Sequence, residues 1–518
     1  MRKKFSTKAR KYKNSGYSEG GASSKNKSLK LWNPQHFSAK SDIDMNLQTL
    51  RNRAADLVCN SPLGASAVKT QLTGVINSGL KLFPRIKADD LGLSPETARE
   101  WNRRTKQEFE LWANDLTCDF YGRNNFFELQ RIAYLNELTD GDCFCVFRRR
   151  VPRGDNPYSL KLQLIEAQRV SNPTYSIGVE CAGKKKGSRI VNGIEVDKSG
   201  ILQAVWVSNR IWNEPTTLNP ELTWQRVKIN GEKSQTRNIL HLCYDTRIEQ
   251  FRGEPYLSPV IETIKNVSRY ADAELTSAII KAFFALFFEQ PEGNFDINQI
   301  GLTTNDPCLD VTEYKAENGS AIALPRGVTV KAIDNSNAQS TFESFTNQFV
   351  NQISAALNLP SEVVLKRFQS SYSASKAALL QAQEEFRQRR LAFVQDFCAP
   401  IYEQFLIEAV ALGRIDAPGF FDDAVKRRQW SAADWRTETS HLLDPLKEVQ
   451  ASALKLQLGL STYEQEAAEL CGTDFFENAR QLALERELLP QADSIAIEST
   501  QEESEGKDVQ SDLQYRLP

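Results

Sequence analysis

Apolar residues in the first third of the chain recur every three or four positions, the period of an amphipathic helix. Leu47, Leu50, Ala54, Leu57 and Val58 form one stripe, Asn60-Ser61-Pro62 interrupts it, and a second stripe runs from Leu63 to Ile76. Two helices joined by a tight turn are predicted. Pro95 to Leu116, carrying Trp101, Phe109 and Trp112, gives a third helix, and Phe126 to Thr139 a fourth that stops at Asp140-Gly141. The period then changes to two: the segments 143–150, 159–167, 193–197, 201–209, 224–229 and 239–244 read as short strands separated by Gly, Asn and Pro turns. Helical spacing returns over Ser258–Glu289 and Gln339–Leu357, on either side of a Gly-, Pro- and Asn-rich insertion at 291–338 whose 327–333 stretch is strand-like. In the second of these helices Phe342, Phe345, Phe349, Ile353 and Leu357 make one apolar stripe. Ser373 to Leu412 is predicted as one helix of about 60 Å, kinked near Pro400, where the ring removes a backbone donor. A last helical block, Pro445 to Leu489, is cut by Gly459 and Gly472.

Composition adds bounds to this pattern. A chain of 518 residues has room for a sizeable core in three or four structural units. With 25% charged and 41% apolar residues it is neither a disulfide scaffold nor a fibrous or wholly disordered protein. Charge nearly cancels, 64 basic against 66 acidic residues, but it is unevenly placed. Residues 1–40 hold eleven basic residues and one acid, and Gln491 to Pro518 seven acids against Lys507 and Arg516. Both ends read as solvated tails, with contact to nucleic acid or a charged partner as the second reading. Nine cysteines, spread singly and without a secretory segment, read as free thiols in a reducing compartment. Ala278 to Phe288 is the most apolar run, but Lys281 interrupts it and it is far shorter than the ~20 residues that span a bilayer. It reads as a buried or interface helix, with no membrane insertion.

A search for chemistry finds little. His36, His241 and His441 lie too far apart for a metal-spacing motif, and Cys143-x-Cys145 has no second pair. No metal site and no cofactor are therefore expected. Gly178 to Lys185 has the glycine spacing of a phosphate loop, yet Lys185 stands where the Mg²⁺-binding hydroxyl belongs. Glu384-Glu385 and Asp422-Asp423 read as solvated helix faces, with Glu385 and Arg389 in the favourable surface-pair order. No catalytic residue is assigned from these patterns.

Four stretches carry a resemblance: 50–84, with Asn77-Ser78-Gly79 at a turn; 192–207 followed by 239–261, with His241, Arg247, Gln250, Arg252, Gly253 and Pro255 as matching positions; 372–415; and 444–477. In this order they resemble the lambda-type family of bacteriophage portal proteins, over most of residues 45–490. The resemblance implies an α+β, predominantly helical fold with wing, stem, clip and crown, assembling as a homo-oligomeric ring of twelve subunits. Such a ring stands at the portal vertex of the capsid, after assembly in the host cytoplasm, and double-stranded DNA is packaged and ejected through it. The partners implied are major capsid and scaffold proteins, the large subunit of a separate terminase ATPase, and head–tail connector proteins.

After the basic tail at 1–40 read from its charge, the resemblance places a wing-like α/β region at 41–257 and stem helices at 258–289 and 339–358. It places the clip at 290–338, the tunnel loop at 359–373 and the long kinked helix with its wing return at 374–443. A crown follows at 444–490 and an acidic tail at 491–518. Phe283, Phe284, Phe287, Phe342, Phe345 and Phe349 are then expected at the stem interface, where Phe284→Asp should impair the ring. Lys366 and Arg367 are expected to face DNA from the tunnel loop, with pairing to a neighbouring subunit as the alternative. Two other classes stay open on the residues alone: a soluble helical metal-dependent DNA-processing enzyme whose carboxylates converge only in three dimensions, and a non-viral scaffold protein.

Overall fold

The computed structural model describes residues 31–488 except 33, 153–155, 174–179, 185–186, 212–220, 233–235, 284–286, 290–328, 332–337 and 438–444. The fold is α+β and predominantly helical. A π-helical turn at Lys40–Asp44 leads into helices α1 (Leu47–Asn60) and α2 (Pro62–Val75), strand β1 (Lys81–Pro84), the short α3 (Ala88–Leu91), α4 (Pro95–Ala113) and α5 (Phe126–Asp140). The helix boundaries follow local chemistry. Ser61 caps α2 with Pro62 in its first turn, Ser94 and Pro95 repeat the arrangement on α4, and Asn125 with Glu128 closes a capping box on α5.

Strands β2 (Asp142–Arg149) and β3 (Leu160–Glu166) follow, then β4 (Cys181–Ala182), β5 (Arg189–Val191), β6 (Ile194–Val196), β7 (Leu202–Ser208), β8 (Trp224–Lys228) and β9 (Ile239–Cys243). Two antiparallel sheets result, ordered β3-β2-β9 and β4-β5-β6-β7-β8. The two-residue alternation of β2 divides the interior. Cys143 and Cys145 point into the large helical core with Leu240 and Leu242, whereas Phe144 and Val146 point into a second core shared with Ile165, Ile194, Val205 and Ile239. The paired cysteines are thus core residues, and burial pushes the Cys143 thiol well above its usual range.

The remaining elements are α6 (Ile261–Phe283), β10 (Phe287–Glu289), β11 (Thr329–Lys331), α7 (Ala338–Ala356), α8 (Ser361–Leu365), α9 (Tyr372–Phe393), α10 (Ala399–Ala411), α11 (Ala424–Trp430) and β12 (Ala433–Arg436), which pairs with β1. Several expectations change here. The helix expected over 258–289 begins with a 3-10 turn at Ser258–Val260, and α6 ends at Phe283. Phe287 opens a strand paired with Lys331, so it is not a stem-helix residue. The long helix has its irregularity before Pro400: a π-helical turn at Val394–Cys398 joins α9 to α10 and absorbs the donor that Pro400 lacks. Glu385 and Arg389 pair at 2.6 Å in a mostly buried setting, because the Arg389 guanidinium also lies over the rings of Tyr244 and Tyr256. Asp423 is the N-cap of α11. Residues 34–40, expected in the basic tail, are described, and Ala39 is buried with Ile43 and Leu47.

Residues 436–518 form a second unit, described by itself. It contains α12 (Pro445–Gln457), α13 (Tyr463–Cys471) and α14 (Phe475–Leu488), with Tyr463 stacked on Phe475 at 5.4 Å. Leu446, Leu458 and Leu460 stay exposed.

Candidate functional site: a buried ion-pair hub and an open helix pair

Asp142 stands at the head of β2 with its side chain wholly buried. Its carboxylate accepts from Arg51 Nη2 at 2.7 Å, Arg252 Nε at 2.6 Å and Nη2 at 3.2 Å, His241 Nε2 at 3.2 Å and the Gly253 amide at 3.3 Å. The two guanidiniums hold the carboxyl far below the usual carboxylate range against the opposing effect of burial. Burial pulls Arg51 down to about 10, so it remains a cation at neutral pH. Arg252 also donates to the carbonyls of Val170 (2.8 Å), Ala167 (2.7 Å) and Asn192 (2.5 Å), which ties β2 to the tip of the β5–β6 hairpin. That tip is Asn192-Gly193, both with positive φ, as a two-residue hairpin turn requires.

The other matching positions brace the same junction. His241 stacks on Phe144 with centroids 4.3 Å apart. Gln250 accepts from the Thr246 and Arg247 amides and donates to the Arg252 carbonyl, while Arg247 reaches Asp42 and the Phe37 carbonyl, each at 2.6 Å. The Pro255 carbonyl accepts from the Ser258 amide. Gly253 crosses Gly141 so closely that a Cβ there would fall 1.8 Å from the Gly141 oxygen. Arg51 and Asp142 were not singled out from the sequence, and Gly141 only as the end of a helix. The signal available was an arginine four residues beyond Leu47, on the buried stripe of α1.

The helix pair differs. Tyr270 on α6 packs on Phe342 and Phe345 of α7 at 5.4 and 4.7 Å, and Phe345 on Phe349 at 4.7 Å. Leu275 and Ile279 remain 62% and 48% exposed, and Phe345 43%. Phe284 lies outside the described residues, and nothing is described of the Phe283 side chain.

Lys366 and Arg367 follow α8 and are exposed. Lys366 adopts a left-handed conformation that ends α8, and with the Gln369 amide turned so that its oxygen faces Arg367, that oxygen accepts from Arg367 Nε and Nη2 at 2.8 and 2.6 Å. Among the described residues no group of three or more His, Cys, Asp or Glu has the geometry of a metal site, and no helix is long and apolar enough to cross a membrane.

The family model of phage portal protein, lambda family, matches residues 25–390. The chain belongs to this family. Its function is that of a phage portal. Portal protein B of Escherichia phage lambda is 24% identical over 492 residues, 91% of this chain and 89% of that protein, and the portal protein of Escherichia phage N15 has the same identity and coverage. The probable portal protein of Halomonas phage phiHAP-1 is 27% identical over 318 residues, 60% and 56% of the two chains. Among solved structures, a chain from the neck of an empty gene transfer agent particle aligns with TM-score 0.45 at 12% identity, over 85% of this chain and 94% of that one. Two of the four portal-like stretches meet at the hub, the first through Arg51 and the second through Asn192 and the His241–Gly253 segment.

Proposed function

We propose that the chain closes into a ring, of twelve subunits as the resemblance implies, at one vertex of the capsid, and that double-stranded DNA passes through it during packaging and ejection. In this reading α6 and α7 are the stem, 290–338 the clip, the segment after α7 the tunnel loop and α12–α14 the crown. The terminase large subunit and later head–tail connector proteins dock on the ring, and capsid and scaffold proteins surround it in the virion. The motor is a separate protein, and this chain acts as a structural channel.

The observation that carries the ring is the α6–α7 pair, whose apolar ladder runs on into side chains left open in the single chain. Leu275, Ile279 and Phe345 are too apolar for a lasting solvent face, and a neighbouring subunit is the cover this reading supplies. Electron microscopy and mass measurement of the purified chain test it: closed rings with a central channel are expected. A species that stays monomeric or dimeric at micromolar concentration would overturn the proposal. Leu275→Asp with Ile279→Asp should abolish rings while leaving thermal unfolding of the subunit nearly unchanged, since both side chains are largely exposed in the single chain.

A further inference from the structure

The face of β2 that begins with Asp142 ends in a second charged cluster. Alternation carries Phe144 and Val146 to Arg148 and then, one residue past the strand, to Arg150, whose amide still bonds to the Ser159 carbonyl. Arg148 stands directly opposite Lys161 of β3, so two cations share a cross-strand pair where like charges repel. Arg150 and Arg148 both lie over the Phe120 ring, at 3.9 and 6.0 Å from its centre. The loop that presents Phe120 and the exposed Tyr121 is pinned to β3 through the Phe120 amide and the Leu162 carbonyl.

Nearby carboxylates are engaged elsewhere. Asp119 accepts from the backbone amides of Tyr121, Arg123 and Asn124, and Glu408 from Arg149 and the amides of Ser159 and Leu160. Asp115 accepts from Thr117 and Asn156, and its field only partly offsets the burial that lowers the Lys161 pKa. Arg148 meets neutral amides, Gln163 at 2.9 Å and Gln225 at 3.5 Å. Among the described residues none of Arg148, Arg150 and Lys161 forms an ion pair.

We propose that this Arg148–Arg150 face, with Lys161 beneath it and Tyr121 beside it, is a docking site for the phosphate backbone of nucleic acid. Guanidinium forks held over an aromatic ring and an exposed tyrosine suit phosphates with an adjacent base or sugar. An incoming anion also relieves the unfavourable Arg148–Lys161 pair, so the site is built to bind what the fold does not supply. Choosing duplex DNA as the polyanion rests on the portal reading.

The test is fluorescence anisotropy of a short labelled DNA duplex with the full chain across a salt series. Relative to wild type, Arg148→Gln/Arg150→Gln should lower the slope of log K against log salt by about 2. Arg148→Lys/Arg150→Lys should keep the slope, and Arg103→Gln, an exposed arginine paired with Glu100, should leave binding as it was. No DNA binding by wild type, or an unchanged slope in the double Gln variant, overturns the proposal. Polyglutamate binding that is equally tight and equally lost in the variant also overturns it, in favour of an acidic protein surface. Thermal unfolding confirms that each variant folds. Ring formation is scored separately, so loss of rings counts against the assembly reading and loss of slope against this one.

Discussion

The two ends of one strand face handle charge in opposite ways. At Asp142 one buried carboxylate is surrounded by two guanidiniums, an imidazole and an amide, and every group is supplied by the chain itself. At Arg148 and Arg150, six and eight residues along the chain from Asp142, these two arginines and Lys161 gather without a partner carboxylate among the described residues. The first end is closed, so its charges serve architecture: they join α1, the three-stranded sheet and the five-stranded sheet. The second is open at its arginines, Arg150 exposed and Arg148 half-buried, while Lys161 is buried beneath them. A buried pair is costly to break because the survivor is left desolvated, whereas the exposed Arg150 and half-buried Arg148 keep access to water and contribute little to folding.

The largest expected effect comes from breaking the closed end. Asp142→Ala leaves Arg51 and Arg252 buried without their anion, and a loss of about 3–5 kcal/mol in denaturant unfolding is expected. Because the folded carboxyl titrates below its unfolded value, its stabilisation is present above the unfolded range near pH ~4 and fades as pH falls below it. The gap between wild type and Asp142→Ala should therefore narrow in acid; a gap independent of pH would contradict the ion-pair account. Gly253→Ala forces apart the crossing with Gly141 and should cost about 1–3 kcal/mol, with the Gly253–Asp142 hydrogen bond lost.

Glu137, on α5 near the hub, sharpens the same contrast with a smaller effect. Burial pushes its carboxyl up to about 8, against the attraction of Arg389. A folded pKa above the unfolded one means stability is lost as pH rises from the unfolded range through about 8, so Glu137→Gln should gain on wild type across that window. Stability curves at acid and alkaline pH check this, and equal curves would remove Glu137 from the account. The smallest effect belongs to the open end: Arg148→Gln should change stability by only about 0.2–1 kcal/mol, in the stabilising direction, because a like-charge pair is relieved. A substantial loss there would mean the cluster is structural after all.

Much of the element order was legible in the sequence because it rests on local periodicity. The α1–α2 break at Asn60-Ser61-Pro62, the alternation of β2, β3, β7 and β9, and the phenylalanine stripe of α7 are written in neighbouring residues. The end of α6 was not: apart from Lys281, 278–288 is apolar, and helix and strand cannot be told apart there by pattern, whereas the pairing of Phe287 with Lys331 depends on a segment more than forty residues away in sequence. The π-helical turn before Pro400 likewise reflects how the chain accommodates a missing donor within packed surroundings.

The candidate site divides along the same line. The sequence by itself determined which residues belong to the family pattern, including His241, Arg252 and Gly253, and where the apolar faces of the helix pair lie. Only the tertiary structure decided what those residues do: Arg51, Asp142, Asn192 and Arg252 come from separate elements and have no spacing relation along the chain. Periodicity records which face a side chain takes on its own element; charge partnership depends on which elements meet, and that is settled by packing the whole domain.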